Sequence, residues 1–359
     1  MKPPHLTLKG TVVASLVGIA ASPALAGEVE KSLEVSGHIN RAVVVSDNGE
    51  NTTFASIDNS SVSGSRFRLK GSAKSEGLTF STLIELGVQS NNATGTHANA
   101  DSPSINLRHS YVSAGNHMGT LSLGHTGTAD ADFTSKRING TGEAGFYDDS
   151  VVSGEELRIS NDTGTASGVT VGDILSDSTV SRADSIKYQS PDFGGFKATV
   201  GYADTNHGGA SLEYAADYDG TKVVAAAGWG SRGGTAAVDA VWGGSLGVSL
   251  AGGLNGSIAY SKRDLNGTVA ANAGLNNPEM IGASIGYTSG ANGITAWYQQ
   301  VEDLGANGNE SESYALVVQH NLSAYGASVY GGIQNVDYST TADQYDDLTA
   351  GWVGVKVTF

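Results

Sequence analysis

The stretch that decides the fold is Trp352-Val353-Gly354-Val355-Lys356-Val357-Thr358-Phe359, in which apolar residues alternate with small or polar ones. Successive side chains of a strand point to opposite faces, so one face carries valine and phenylalanine while the other carries glycine, lysine and threonine. A soluble sheet can show the same alternation. A strand that closes on an aromatic residue of its apolar face, however, indicates that another apolar phase covers that face.

The first residues predict export. Lys2 and Lys9 precede an apolar stretch at 11–21, and Ser22-Pro23-Ala24-Leu25-Ala26 provides the small-residue exit of a secretory signal peptide. A membrane anchor is the alternative, but about 11 apolar residues are too few for the roughly 20 that a spanning helix requires. We therefore expect cleavage after Ala26, which divides the chain into a signal peptide (1–26) and one large mature unit (27–359).

Composition limits the classes of function. The chain has 20 basic and 36 acidic residues, and loss of the two leader lysines leaves 18 against 36, a formal charge of −18. Nucleic acid is thereby excluded as an expected partner, because its binding requires basic surfaces. Cysteine is absent, and mean hydropathy is only −0.15. A membrane role must then rely on strands rather than on apolar helices.

Alternating segments recur from Leu33 onward, and glycine is abundant at 50 residues. They predict an all-β fold with about 16 strands, joined alternately by short turns and longer polar loops such as that at 46–64. These features are typical of a transmembrane antiparallel β-barrel, whose closure satisfies every backbone hydrogen bond in lipid. The strand edges between 221 and 250 are hard to place because Gly and Ala obscure the period there. Trp229, Trp242, Trp297 and Trp352 are expected near strand ends, as an interfacial aromatic belt requires.

One connection breaks the pattern. Residues 126–184 form a link of about 58 residues, far longer than a hairpin loop, and long ordered loops are usually functional. The link is predominantly acidic. Its candidate functional carboxylates are Asp130, Asp132, Glu143, Asp148 and Asp149.

Basic residues occur on one face of several predicted strands. In Ser65-Arg66-Phe67-Arg68-Leu69-Lys70-Gly71, Phe67 and Leu69 share one face, and Arg66, Arg68 and Lys70 share the other. Arg108 is expected to point away from its neighbours Leu107 and His109, and Lys187 away from Ile186 and Tyr188. If lipid covers the apolar face, these cations line an enclosed interior; in a soluble sandwich they would form an ordinary solvated face.

These strands resemble those of the trimeric general-diffusion porins of Gram-negative bacteria, and most closely those of α-proteobacterial type. The resemblance is carried by 65–71, by 107–114 with 119–124, and by 185–196, and Phe359 fits it as well. It implies a 16-stranded barrel, three copies per assembly, with the third loop folded into the pore. It also implies that Arg66, Arg108 and Arg182 lie on the wall facing that loop. His38 and His125 stand where relatives often have Lys or Arg.

The expected function is therefore an outer-membrane channel for passive diffusion of small hydrophilic solutes and ions, narrowed between a basic wall and the acidic loop. The wall residues are Arg66, Arg68, Lys70, Arg108, Arg182, Lys187 and His38. Two charge signals disagree: acidic loops at the mouths favour cations, and the wall favours anions. We expect the acidic loops at the pore mouths to have the larger effect on selectivity, and we predict a preference for cations.

Three alternatives remain open on the sequence. They are a substrate-specific channel, a surface adhesin or envelope-anchoring barrel with a blocked bore, and a secreted β-rich binding protein. No enzyme motif of the Gly-x-Ser-x-Gly, His-Glu-x-x-His or phosphate-loop type is found, so no catalysis is expected. No cofactor is expected either. Calcium could bind Asp148-Asp149 with Glu155-Glu156, or Asp343 with Asp346 and Asp347, but these clusters lack a recognised calcium-loop spacing and fit solvated loop charge better.

Overall fold

The computed structural model describes residues 29–90, 103–147, 150–160, 166–175, 182–232, 237–269 and 274–359. The predicted signal peptide and its cleavage site lie outside these ranges. The strands are β1 (Glu30–Asp47), β2 (Thr52–Asp58), β3 (Arg66–Ser75), β4 (Leu78–Gln89), β5 (Ser104–Asn116), β6 (Gly119–Gly127), β7 (Glu156–Arg158), β8 (Ala166–Thr170), β9 (Arg182–Gln189), β10 (Phe196–Ala203), β11 (His207–Tyr218), β12 (Thr221–Arg232), β13 (Val238–Ser249), β14 (Leu254–Leu265), β15 (Glu279–Ser289), β16 (Asn292–Glu302), β17 (Glu310–Leu322), β18 (Ala327–Ser339) and β19 (Leu348–Thr358).

In the described residues, helical structure occurs as single turns. These are α1 (Ser60–Ser63), α2 (Val171–Ile174), and 3₁₀ turns at Asp204–Asn206 and Ser323–Tyr325. Within the described ranges, no helix is long and apolar enough to cross a membrane.

All strands except β7 and β8 form one antiparallel sheet, which closes on itself. β1 pairs through His38–Asp47 with Thr349–Thr358 of β19, and its other edge pairs with β2 and β3. β2 and β3 lie end to end along β1, because residues 59–65 leave the sheet between them and include α1. Because β2 and β3 together occupy one position around the barrel, the 17 strands of the sheet form a closed 16-stranded barrel, as predicted.

The observed strands agree with the predicted all-β fold of about 16 strands. One connection was predicted wrongly. Most of the polar stretch at 46–64 forms the end of β1, the strand β2 and the turn α1. Residues Thr52–Asp58 pair with β1, from Thr52 opposite Asp47 to Asp58 opposite Arg41. The backbone hydrogen bonds of this pairing stabilise a strand although its Thr and Ser side chains are polar.

The distribution of side chains is inverted relative to a water-soluble protein. Large apolar residues are exposed on the outer face, among them Ile258 (59%), Ile333 (61%) and Val353 (61%). The buried set contains many polar residues, such as Gln299 (0%) and Thr295 (1%). Contiguous exposed apolar surface of this extent requires an apolar surrounding, so the outer face is the lipid face.

An aromatic belt requires the four tryptophans to face outward, and two of them do. Trp229 and Trp242 lie opposite each other on β12 and β13 and are exposed on the outer face. Trp297 and Trp352 are buried, because their positions on β16 and β19 fall in the inward phase of the strand.

The terminal aromatic residue seals the seam between β19 and β1. The backbone of Phe359 exchanges two hydrogen bonds with Gly37, at 3.0 and 2.9 Å. A Cβ atom on Gly37 would lie 2.8 Å from Cζ of the Phe359 ring, so only glycine leaves room for the ring. The predicted closing role of Phe359 agrees with this contact.

The long connection between β6 and β9 lies inside the barrel. Its described parts are 128–147, 150–160 and 166–175, and they contain the hairpin β7–β8 and α2. Ser211 donates to the carbonyl of Ala129 (2.6 Å), Ser245 to that of Phe133 (2.6 Å), and Ser311 to that of Ile174 (2.8 Å). The loop thus follows the inner wall from β11 to β17 and beyond.

The largest apolar core lies between this loop and the wall. Val151, Val152, Leu157, Val171 and Ile174 of the loop are buried there. They pack in one cluster with inward residues of the wall: Val44, Ile57, Val317, Val336 and Leu348. The loop therefore fills one side of the bore and leaves the side formed by β3 to β6 uncovered.

Candidate functional site

The uncovered wall carries three arginines around one buried glutamate. Glu85 of β4 has a side chain only 3% exposed. Its Oε1 accepts from Nε of Arg108 at 2.7 Å and lies 3.5 Å from Nη1 of Arg66, while its Oε2 accepts from Nε of Arg68. Hydrogen bonds between ionised partners are the strong ones, so this cluster is rigidly held.

The strand register explains the cluster. Arg68 lies directly opposite Glu85 in the pairing of β3 with β4, and both point inward. Arg68 and Arg108 bind Glu85 through Nε, and Arg66 donates its Nε to the carbonyl of Gly64 at 3.0 Å. A guanidinium group has five N–H donors, so each of these arginines has further donors beyond the ones used in these contacts.

Arg66, Arg68 and Arg108 were predicted for this wall, whereas Glu85 was missed. Glu85 alternates with Ile84 and Leu86 in the sequence, and that pattern already places it on the polar face. The missing information was that it lies between two basic strands.

A β-bulge lies beside the cluster. In the pairing of β4 with β5, Glu85 lies opposite His109 and Leu86 opposite Leu107, so Arg108 is an extra residue in β5. Such a bulge turns two successive side chains to the same face. The expectation that His109 points away from Arg108 is therefore wrong, because strict alternation fails at this position.

Two further predicted cations lie on β9, across β6 from the cluster. Lys187 is directed inward and donates from Nζ to the carbonyl of Gly127 at 2.7 Å. Arg182 is partly buried, within electrostatic range of Arg108, Glu85 and Asp132. The structure thus brings both residues to the same side of the bore as the arginines.

The other two predicted wall residues stand apart from the cluster's open face. His38 is 4% exposed, and its Nε2 donates to the carbonyl of Gly64 at 2.9 Å. Lys70 is exposed on the inward row of β3, one position nearer the short turns than Arg68. His125 lies on the outer face, where its Nδ1 is 3.6 Å from Oδ2 of Asp184.

Of the loop carboxylates that the structure describes, Asp132 is the one that faces the basic wall. It is exposed, its φ of 63° turns the chain at the start of the loop, and it lies in electrostatic range of both Arg182 and Lys187. Non-glycine residues with positive φ are uncommon and are often Asp or Asn.

Asp130 serves a different purpose from the one expected. Its carboxylate is 1% exposed, and Oδ1 lies 2.7 Å from Nε2 of the buried His207 on β11. A Cβ atom on Gly230 would lie 2.0 Å from Oδ2 of Asp130, so the carboxylate rests directly on the wall. Asp130 anchors the loop and does not line the opening.

Glu143 also binds the wall, through a residue that the prediction omitted. Its Oε1 is 2.6 Å from Nζ of Lys356 on β19, and Nζ also donates to Ser63 at 3.2 Å. The sequence placed Lys356 on the polar face of its strand but gave no sign of its partner. Asp148 and Asp149 lie outside the described residues.

The two acidic clusters that were considered for calcium are only partly described. Glu155 is buried, Glu156 accepts from the backbone N–H of Gly168 at 2.7 Å, and Asp346 accepts from Ser160 at 2.7 Å. Among the residues that the structure describes, no group of three or more His, Asp or Glu side chains is placed to hold a metal ion.

The middle of the loop, at 158–160, is tied to the β18–β19 connection. The N–H of Ser160 donates to Gln344 and that of Asp346 donates to Arg158, both at 2.8 Å. Tyr345 packs on Tyr338 with ring centroids 4.7 Å apart, and burial, with a smaller contribution from Asp343, raises the pKa of Tyr345. The loop is thus held at 158–160 as well as along the wall from β11 to β17.

A closed antiparallel barrel with a polar interior, an apolar exterior and a loop inside the bore defines a transmembrane channel protein. The family model of the Gram-negative porins matches residues 11–341, and the chain belongs to this family. It is therefore an outer-membrane porin. No curated protein sequence matches the chain.

Solved structures of two porins and one other outer membrane protein share the fold at low identity. The anion-selective porin from Comamonas acidovorans has a TM-score of 0.62 at 17% identity, covering 92% of this chain and 100% of that one. A triple mutant of the Rhodopseudomonas blastica porin has a TM-score of 0.57 at 15% identity, covering 91% and 100%. The trimer form of OmpT, an outer membrane protein of Vibrio cholerae, has a TM-score of 0.56 at 15% identity, covering 92% and 99%.

Proposed function

We propose that this porin passes small hydrophilic solutes and ions passively through an opening between the arginine wall and the inserted loop. The observation that supports this proposal is the position of the loop, which packs on one side of the bore, while the side chains of Arg68 and Arg108 on the other side remain 37% and 22% exposed. Opposed charges in a confined space order water and polar solutes across the pore. Apolar solutes would have to displace that water and gain little in return.

The charges near the opening favour anions. The five cations Arg66, Arg68, Arg108, Arg182 and Lys187 outnumber the described carboxylates within electrostatic range of them, which are Glu85, Asp132, Asp58 and Glu213. Glu143 is compensated by Lys356, and Lys136 by Glu213 at 3.0 Å. Charges beyond a Debye length of about 8 Å are largely screened, so the negative charge of the whole chain counts little here.

This proposal reverses the preference for cations expected from the sequence. That expectation assigned the loop carboxylates to the opening, whereas Asp130 and Glu143 have cationic or histidine partners on the wall. The name of the Comamonas acidovorans porin, which shares the fold, describes that protein as anion-selective.

Reversal potentials in planar bilayers under a potassium chloride gradient test the selectivity. We expect a potential of the sign that chloride preference gives, with a linear conductance that does not saturate. A preference for potassium would refute the charge assignment. Conductance that saturates with one solute would instead identify a substrate-specific channel.

We further propose that the functional unit is a homotrimer of the mature chain 27–359. The support is the family resemblance and the trimer form recorded in the name of the Vibrio cholerae OmpT structure. Light scattering of the detergent-extracted protein should give three chains per particle, and N-terminal sequencing should begin at Gly27. A monomeric particle with full conductance would contradict the assembly, and a first residue other than Gly27 would contradict the cleavage site.

A further inference from the structure

The β-bulge in β5 adds a side chain to the pore wall that alternation would place in lipid. His109 lies opposite the inward Glu85, whereas the flanking Leu107 and Ser110 are exposed on the outer face. The ring of His109 contacts that of Tyr111, two residues further on the same face, with centroids 6.2 Å apart.

The position of His109 is central to the wall charges. It lies beside the cluster of Arg68, Glu85 and Arg108, and Arg182 and Lys187 of β9 are within electrostatic range on the other side. Between these two groups, the inward residues of β6 are uncharged: Ser122 and Thr126. His109 is thus the ionisable group that links the two parts of the basic wall.

We propose that His109 is a specificity-determining residue of the channel. It occupies the wall between the arginine cluster and β9, so the charge carried by the side chain at position 109 sets how strongly small anions are favoured over cations. The inference rests on the proposed diffusion function, because it assigns a role in the selectivity of that same opening.

The test compares two histidines on neighbouring strands. His109 faces the bore, and His125 of β6, beside Ser110 in the strand pairing, faces outward. In bilayers, His109→Lys should raise the chloride-to-potassium permeability ratio and His109→Glu should lower it, each by about two- to fivefold. His125→Lys retains a partner in Asp184 and should leave the ratio unchanged.

The outcomes separate the two proposals. A wild-type protein without conductance would refute the proposed function. A conducting wild type whose ratio is the same in His109→Lys and His109→Glu would refute the role of His109 alone. An equal effect of His125→Lys would also refute it, because the effect would then not depend on facing the bore.

Cysteine accessibility tests the geometry without reference to conductance. The chain contains no cysteine, so single cysteines at 107, 108, 109 and 110 are the only reactive thiols in their variants. A charged, water-soluble thiol reagent should label positions 108 and 109 in folded protein in lipid vesicles and spare 107 and 110. Labelling of 108 and 110 with an inert 109 would overturn the inference, since that is the pattern of an unbulged strand.

Discussion

The two sides of the barrel use the same kind of strand for opposite purposes. On the side formed by β3 to β5, inward charges meet one another on the wall and leave their outer donors facing the bore. On the side formed by β16 to β19 and β1, inward side chains are covered by the loop, and Glu143 neutralises the charge of Lys356. The position of the inserted loop, rather than the residue types of the strands, therefore determines which inward side chains can contact a solute.

The strongest way to break this contrast is to detach the loop from the covered side. Leu157 is 0% exposed in the core between loop and wall. Leu157→Asp would bury an unpaired carboxylate at a cost of several kcal/mol, so the loop should leave the wall. We expect a clear rise in single-channel conductance.

The volume-conserving Leu157→Met is the control for this change. It should cost less than about 1.5 kcal/mol and retain the wild-type conductance. If Leu157→Asp folds and conducts like the wild type, the core between loop and wall does not set the opening.

The next largest effect is expected on the open side. Glu85→Gln keeps the shape of the side chain and removes the one carboxylate among Arg66, Arg68 and Arg108. Removing a unit charge at close range in a partly hydrated space is worth about 1 kcal/mol, which corresponds to about a fivefold higher chloride-to-potassium permeability ratio. The reversal potential measures it.

Glu213→Gln is the matched control for Glu85→Gln. It also removes one inward carboxylate, but that carboxylate is paired with Lys136 of the loop away from the arginines. A shift as large as that of Glu85→Gln would show that selectivity follows total charge and not the position of the cluster.

A smaller effect is expected from releasing a charge on the covered side. Lys356→Met leaves Glu143 without its cation, so the permeability ratio should move toward potassium, by about twofold because Glu143 is partly covered. Lys197→Met, which removes an exposed cation at the turn end of β10, should leave the ratio unchanged. An unchanged permeability ratio in Lys356→Met would mean that the charge of Glu143 does not act on ions in the pore.

The smallest effect concerns the seam that joins the two sides. Gly37→Ala places a methyl group 2.5 Å from the carbonyl of Arg66 and 2.8 Å from the Phe359 ring, so one of them must shift. Overpacking of this kind costs about 1–3 kcal/mol and should lower the temperature of heat unfolding without changing selectivity. Gly252→Ala, where a methyl group would meet nothing within 4 Å, is the control, and equal loss in both variants would contradict the role of the seam.

The number of barrel strands and the inward direction of Arg66 and Arg68 could be predicted from the sequence alone. Each follows from alternation, which is a local property of a strand: a side chain and its neighbour point to opposite faces. The length and the acidic composition of the long connection are also local properties, so the sequence was sufficient to identify it.

Only the tertiary structure decided which charges face the bore. Glu85 reaches the arginines through pairing between strands, Asp130 and Glu143 find His207 and Lys356 across 77 and 213 positions of chain, and His109 turns inward through one extra residue in a ladder. Partners and register are properties of two segments at once, and a periodic pattern read along one segment does not contain them.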